Sequence, residues 1–215
     1  MIQIYISPNY THKKLEPPFF RDQIDVFEDR IRHWLIEPAK TLLKHKHGKI
    51  PAVFLVINYI EGIEIYISGE DSKNKSKDFF KRGYKRIFAS VSGEDYMQDA
   101  VAEGLYEMLR CGFAHDAMFR DGIYFSDIRK EAMFIDWPKI NGKFDSCAKL
   151  KSVVINPARF IECIEIHFDF YLKELKSIHP NVAQENFKKA VKLKWPLAGT
   201  SRLIDVTEDE FYAAR

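Results

Sequence analysis

Residues 52–68 read AVFLVINYIEGIEIYIS, and the fold of the whole chain turns on whether this stretch is strand or helix. Its Val, Ile, Phe and Tyr content favours a strand, and 63–67 (IEIYI) alternates as a half-buried strand does. Its length of about seventeen residues is too great for an ordinary strand and suits a helix buried on most sides. Gly69 then stands as the stop. A strand here would put a sheet at the centre of the molecule, and a helix would put a bundle there. Asn58, Glu61 and Glu64 interrupt the apolar run, which reads as too short and too charged to span a bilayer.

Upstream, Ile2, Ile4 and Ile6 alternate, predicting a short strand that Ser7-Pro8 ends; Pro17-Pro18 closes a polar connector. From Phe19 the period becomes helical, with Ile24, Phe27, Ile31, Trp34 and Leu35 on one stripe. Pro38 is expected to kink that helix or to start a second piece over 39–46, ended by Gly48. His45 and His47 flank Lys46, the pattern of a solvated helix end whose cations face the negative end of the dipole rather than of a metal pair.

Downstream, residues 72–91 place Phe79, Phe80, Tyr84, Ile87 and Phe88 on an apolar face. Lys75, Lys77, Lys81, Arg82, Lys85 and Arg86 occupy the rest. Lys81, Arg82, Lys85 and Arg86, interleaved with aromatics, are candidates for contacting an RNA backbone. An ordinary solvated face is the plainer reading. Gly93 separates this helix from an acidic one over 95–110, whose stripe is Met97, Val101, Leu105 and Met108. Arg110 then projects away from that stripe, toward a ligand or second subunit, or toward an ion pair with Glu107 or Glu103.

Arg110 and His115 stand five residues apart in YEMLRCGFAHD, residues 106–116. On an unbroken α-helix they would diverge by roughly 140°; a break at Gly112 would let them converge. A guanidinium matches phosphate oxygens two-pronged, and an imidazole moves protons near neutral pH. RNA supplies its own nucleophile, the 2′-hydroxyl, so this pair needs no metal or cofactor.

Arg110-Cys111-Gly112-Phe113-Ala114-His115, following an acidic amphipathic helix, resembles the Arg-x(4–6)-His signature of the HEPN superfamily. The resemblance spans about residues 20–178 and rests on motif and helix order. It implies a mainly α-helical bundle, favours helix for 52–68, and implies a homodimer that brings two Arg-His motifs to a shared cleft. Many members are metal-independent endoribonucleases acting through Arg and His; others bind RNA, nucleotides or proteins without cutting. It also suggests a defence or toxin-antitoxin setting, with a cognate antitoxin or regulatory protein as partner. Cys111 departs from the polar residue that often follows the Arg, and Ala117 stands where one toxin branch carries a modifiable Tyr.

After His115 the texture changes. Asp121-Gly122 signals a turn, and 123–126, 132–135 and 153–155 read as short strands. These predict a β-hairpin or three-stranded sheet inserted before the last long helix and walling one side of the Arg-His groove. Asn156-Pro157 starts that helix, with Phe160, Ile161, Ile164, Phe168, Tyr171, Leu172 and Leu175 as its stripe. The expected organisation is an N-terminal extension (1–18), a helical domain (19–178) and a C-terminal extension (179–215) with a short basic helix from Asn181.

Composition fits one folded domain with extensions: 215 residues, 46% apolar, seventeen Phe and ten Tyr. A net charge of only +2 leaves nucleic-acid binding to local segregation of charge. Cys111, Cys147 and Cys163 form no CxxC or Cys/His grouping, so a zinc site is not expected and a reducing, cytoplasmic setting fits. The N-terminus lacks the basic start and apolar run of a signal peptide, and no membrane association is expected.

Overall fold

The structure, a computed structural model, describes residues 5–89, 95–116, 118–128, 130–145, 147–195 and 213. Lys49–Ser68 forms one helix, α3, so length outweighs strand propensity. Most of its β-branched and aromatic side chains find packed neighbours, which is much of what strand propensity measures. Buried residues cover most of the circumference of α3, leaving Pro51, Leu55, Asn58, Gly62 and Tyr66 on a more open face, because helices α2 (Glu37–Leu43), α4 (Ser76–Ile87), α7 (Pro157–Leu175) and α8 (Val182–Lys194) pack against it. Gly69 ends it in the left-handed region (φ 70°), its N–H donating to the Ile65 carbonyl at 2.9 Å. Asn186 of α8 satisfies another terminal carbonyl, that of Ile67, at 2.8 Å. At twenty residues α3 is long and apolar enough to cross a membrane, so its length does not decide the matter as the sequence suggested. More than half of its most apolar window is buried inside the protein.

Helices α3 and α4 approach each other closely. A Cβ on Gly83 would lie 2.0 Å from the Ile60 carbonyl oxygen, so only glycine lets these two backbones meet. The expected face of α4 is the buried one: Phe79, Phe80, Tyr84, Ile87 and Phe88.

Pro38 neither breaks nor ends its helix. Helix α1 (Phe20–Arg30) runs into a π-helical stretch, Ile31–Ile36, and then into α2, with Pro38 in its first turn. Proline cannot donate to the carbonyl four residues back and crowds it. A widened turn just upstream is one way for a helix to absorb that misfit.

The strand expected from Ile2 lies mostly outside the described residues; Tyr5 and Thr11 form an isolated antiparallel bridge. The following segment is tied to α1 through the buried Asp29. Ser7 Oγ donates to its Oδ2 at 2.6 Å, and the Asn9 amide and side chain donate at 2.9 and 2.7 Å. Burial alone would raise this carboxyl; the Ser7 and Asn9 hydrogen bonds outweigh it and hold it below the ordinary Asp range. Next to it, Arg30 donates from Nε to the Ile6 carbonyl at 2.7 Å, with its guanidinium 4.5 Å from the Trp195 ring and 5.5 Å from Trp34. Residues 179–195, expected as part of an extension, complete the central core. Asn181 caps α8 by accepting from the Gln184 amide, and Phe187 is fully buried 5.2 Å from Phe27.

Between helices α5 (Asp95–Gly104) and α7 the chain builds the inserted sheet. Strands β1 (Ile123–Phe125), β5 (Ser152–Ile155) and β2 (Met133–Asp136) lie in that order, β1 parallel and β2 antiparallel to β5. Between β2 and β5, strands β3 (Lys139–Ile140) and β4 (Lys143–Phe144) form a separate hairpin. Asn141 and Gly142 turn it, both at positive φ. The protein is thus mainly helical with a small three-stranded sheet ahead of its longest C-terminal helix, as the sequence predicts.

Candidate functional site

Helix α5 continues without interruption into a π-helical stretch, Leu105–Cys111, and then into α6 (Gly112–Asp116). Gly112 therefore does not break the helix; it keeps helical angles (φ −55°, ψ −48°). Its role is space. A Cβ there would sit 2.7 Å from the Met118 carbonyl, where the returning chain crosses, and the Arg120 amide donates to the Met108 carbonyl at 2.9 Å. The wider π turn also moves the buried position from the expected Met108 to Leu109, which is fully buried while Met108 is only partly so.

That same turn redirects Arg110. Instead of projecting outward, its guanidinium meets α3, with Nη2 donating to Glu61 Oε2 at 3.2 Å and only 25% of the side chain exposed. The contact is one-pronged. Arg110 Nε is buried with no hydrogen-bond partner among the described residues, and the guanidinium lies 5.4 Å from the Tyr106 ring. Burial and the neighbouring Cys111 thiol push the Tyr106 phenol up, against the lowering effect of Arg110. Tyr106 and Cys111 are five apart, the spacing that a π turn brings onto one face. Neither Glu103 nor Glu107 pairs with Arg110; both bind Lys77 of α4, Glu107 at 2.7 Å.

His115 lies on α6, exposed, with no hydrogen bond or ion pair among the described residues. The helix between it and Arg110 is continuous, so no break at Gly112 brings the two side chains to a common point. Beside His115, Phe113 stacks face to face on Phe54 of α3, centroids 3.7 Å apart and planes at 11°. Phe113 remains 41% exposed. Phe119 follows at 6.4 Å from Phe54, and Phe125 of β1 at 5.3 Å from Phe119. The first strand of the inserted sheet thus borders this region. Sequence reasoning missed Glu61 and the Phe54–Phe113 stack. The available signal was Glu61 itself, an acid inside an apolar helix that has to find a cation.

The four α4 residues named as candidates for an RNA backbone, Lys81, Arg82, Lys85 and Arg86, are all engaged within the chain. Lys81 and Lys85 reach Asp99 of α5 at 3.5 and 3.0 Å. Arg86 donates to Glu64 Oε2 at 2.6 Å; Arg82 lies 3.3 Å from Glu64 Oε1, too poorly aligned for a hydrogen bond, and 3.6 Å from Glu70. Glu64 is a fully buried carboxylate on α3, which explains why two guanidinia converge there. These cations therefore stitch α4 to its neighbours.

On α7, Glu162 pairs with Arg159, Glu165 with Lys40 and Asp169 with Arg32, at 2.6–2.7 Å. His167 is packed inward and receives the Tyr59 hydroxyl at Nδ1 (3.0 Å). Burial, reinforced by Arg86, lowers its pKa to about 4, so the ring is neutral near pH 7, and Tyr59 donates in the tautomer that leaves Nδ1 unprotonated. Among the described residues no cluster of three or more His, Cys, Asp or Glu side chains could hold a metal. Comparison with family models, with curated proteins and with solved structures finds no match to this chain.

Proposed function

We propose that the chain is a metal-independent, HEPN-type endoribonuclease in which Arg110 and His115 act on one phosphodiester. His115 moves the proton of the attacking 2′-hydroxyl or of the departing 5′-oxygen. Arg110 stabilises the charge that builds on the phosphorus oxygens. The 2′-oxygen bonds to phosphorus as the bond to the 5′-oxygen breaks, leaving a 2′,3′-cyclic phosphate and a 5′-hydroxyl. The observation that carries this reading is the state of Arg110, five residues before an exposed imidazole that has no partner among the described residues. A single 3.2 Å contact to Glu61 leaves its Nε without an acceptor. A phosphate, presenting two oxygens, competes well for a guanidinium held by one prong.

Because the helix between the two residues is continuous, the reading requires a second copy of the chain, with His115 of one subunit serving Arg110 of the other. The motif resemblance implies the same dimer, and a defence or toxin-antitoxin role with a cognate protein partner. The test is cleavage of end-labelled RNA in EDTA by the parental chain, Arg110→Ala and His115→Ala. Retained parental cleavage with cyclic-phosphate ends, and a loss of about 10²-fold or more in each variant, is the expected result. Cleavage that disappears with chelator, or that survives both substitutions, rules the mechanism out.

A second reading has its own observation. Glu61 already neutralises Arg110, and Cys111 follows it, which favours a regulatory module that binds RNA, a nucleotide or a protein without turnover. Binding by a chain that never cleaves, unaffected by His115→Ala, identifies that case.

A further inference from the structure

A cavity of about 330 Å³ opens where the N-terminal end of α3 meets β1 and the start of α7. Lys46, His47, Lys49, Phe125, Ser126 and Pro157 line it, with Asp127 as the one acid. Lys49 is ion-paired with Asp127, while Lys46 and His47 are exposed and carry no counter-charge among the described residues.

From the cavity a row of rings leads to the Arg-His region. Phe125 lines the cavity and touches Phe119 edge to face at 5.3 Å. Phe119 lies 6.4 Å from Phe54, and Phe54 carries the stacked, half-open Phe113. Two positions beyond Phe113 stands His115. Along α3 the same order repeats at helical spacing: Ile50 in the cavity wall, Phe54 in the stack, Glu61 under Arg110. Lys46 and His47 thus stand at one end of the row and His115 at the other, with Phe113 and Phe119 open to solvent between them, and Met118, 67% exposed, continues the apolar surface beside it. A single-stranded nucleic acid alternates in the same way, with flat bases between anionic links.

We infer that this row is a track for single-stranded RNA, with a base stacking on the open face of Phe113 and a neighbouring phosphate held at the mouth of the cavity by Lys46 and His47. The inference rests on the ribonuclease reading for the identity of the strand, and it names single-stranded rather than duplex RNA as the substrate class. A base still paired inside a helix hides both of its faces in the stack, so a duplex offers Phe113 nothing to cover.

The experiment is fluorescence polarisation of a labelled, 2′-O-methylated RNA 10-mer against the full chain. Such a strand lacks the attacking hydroxyl, so binding is read whether or not the protein cleaves RNA. The variants are Phe113→Leu, which keeps an apolar side chain against Phe54 but removes the stacking face, and Lys46→Glu, on an exposed site. Each is expected to weaken binding by about tenfold with an unchanged melting temperature, and Lys46→Glu is expected to flatten the salt dependence. The corresponding duplex is expected to bind at least tenfold more weakly than the single strand. Parental affinity in both variants, equal binding of single strand and duplex, or no binding by the parental chain overturns the track. Binding that follows the expected pattern in a chain that cuts no RNA leaves the track standing and removes the nuclease reading alone.

Discussion

At the scale of single residues, interior polar groups explain more of the structure than surface ones. Glu64, Asp29, His167 and Tyr59 each sit where water cannot reach freely, and each has an identified partner. His167 gives this a measurable form. Its folded-state pKa is depressed to about 4 from an ordinary value of 6.5. Below pH 6.5 the unfolded chain therefore takes up a proton that the folded chain refuses. Stability falls as the pH drops from about 6.5 toward about 4, and levels off below that. The contribution is on the order of 3 kcal/mol. Urea unfolding of the parental chain and of His167→Gln, which can both donate to and accept from Tyr59, checks it: the acid-side loss should shrink in the variant. A histidine resonance titrating near 6.5 in the folded parental protein, assigned to residue 167, would overturn the prediction.

At the scale of elements, the order of helices and strands was largely legible in the sequence, and the reasons for the exceptions are physical. The apolar stripes of 79–88 and of 160–175, the Asn156-Pro157 start and the Gly69 stop are local signals, and all appear as read. Residues 52–68 were ambiguous because a helix enclosed on most sides and a buried strand select the same side chains. The two π-helical stretches were not legible. A single widened turn leaves little trace in a hydrophobic period, yet it decides that Leu109 is buried and that Arg110 faces Glu61. Partners such as Glu61 and Glu64, far from their arginines in sequence, were likewise invisible to local patterning.

The contact between α3 and α4 carries the prediction proper to this scale. Gly83→Ala places a methyl group where the Ile60 carbonyl now stands, and neither helix backbone can yield without displacing the core around Phe80 and Tyr84. The expected destabilisation is about 3 kcal/mol, against the slight gain that alanine brings at an uncrowded helical site. Chemical denaturation measures it; a variant as stable as its parent would show that the two helices can part at little cost.

At the scale of the whole molecule, the question is whether one chain suffices for chemistry. The helix from Arg110 to His115 has no break that would bring them together, and the proposed cleft is shared between two copies. Mixing Arg110→Ala with His115→Ala then restores activity that neither variant has alone. With free exchange of subunits, half of the dimers are mixed and each has one intact pairing, so about a quarter of parental cleavage is expected. If both residues of a working pair come from the same chain, mixing restores nothing. Titrating one variant against the other in the RNA assay distinguishes the two arrangements.

Arg30 gives the molecule one more property. A single guanidinium touches the carbonyl of Ile6, near the first described residue, and the indole of Trp195, at the far end of α8. The polypeptide path is therefore almost a closed ring, with both extremities of the packed body fastened to one side chain. Severing the backbone at an exposed turn such as Asn141-Gly142 and joining Tyr5 to Trp195 through a linker would reorder the sequence while keeping the packing around Arg30.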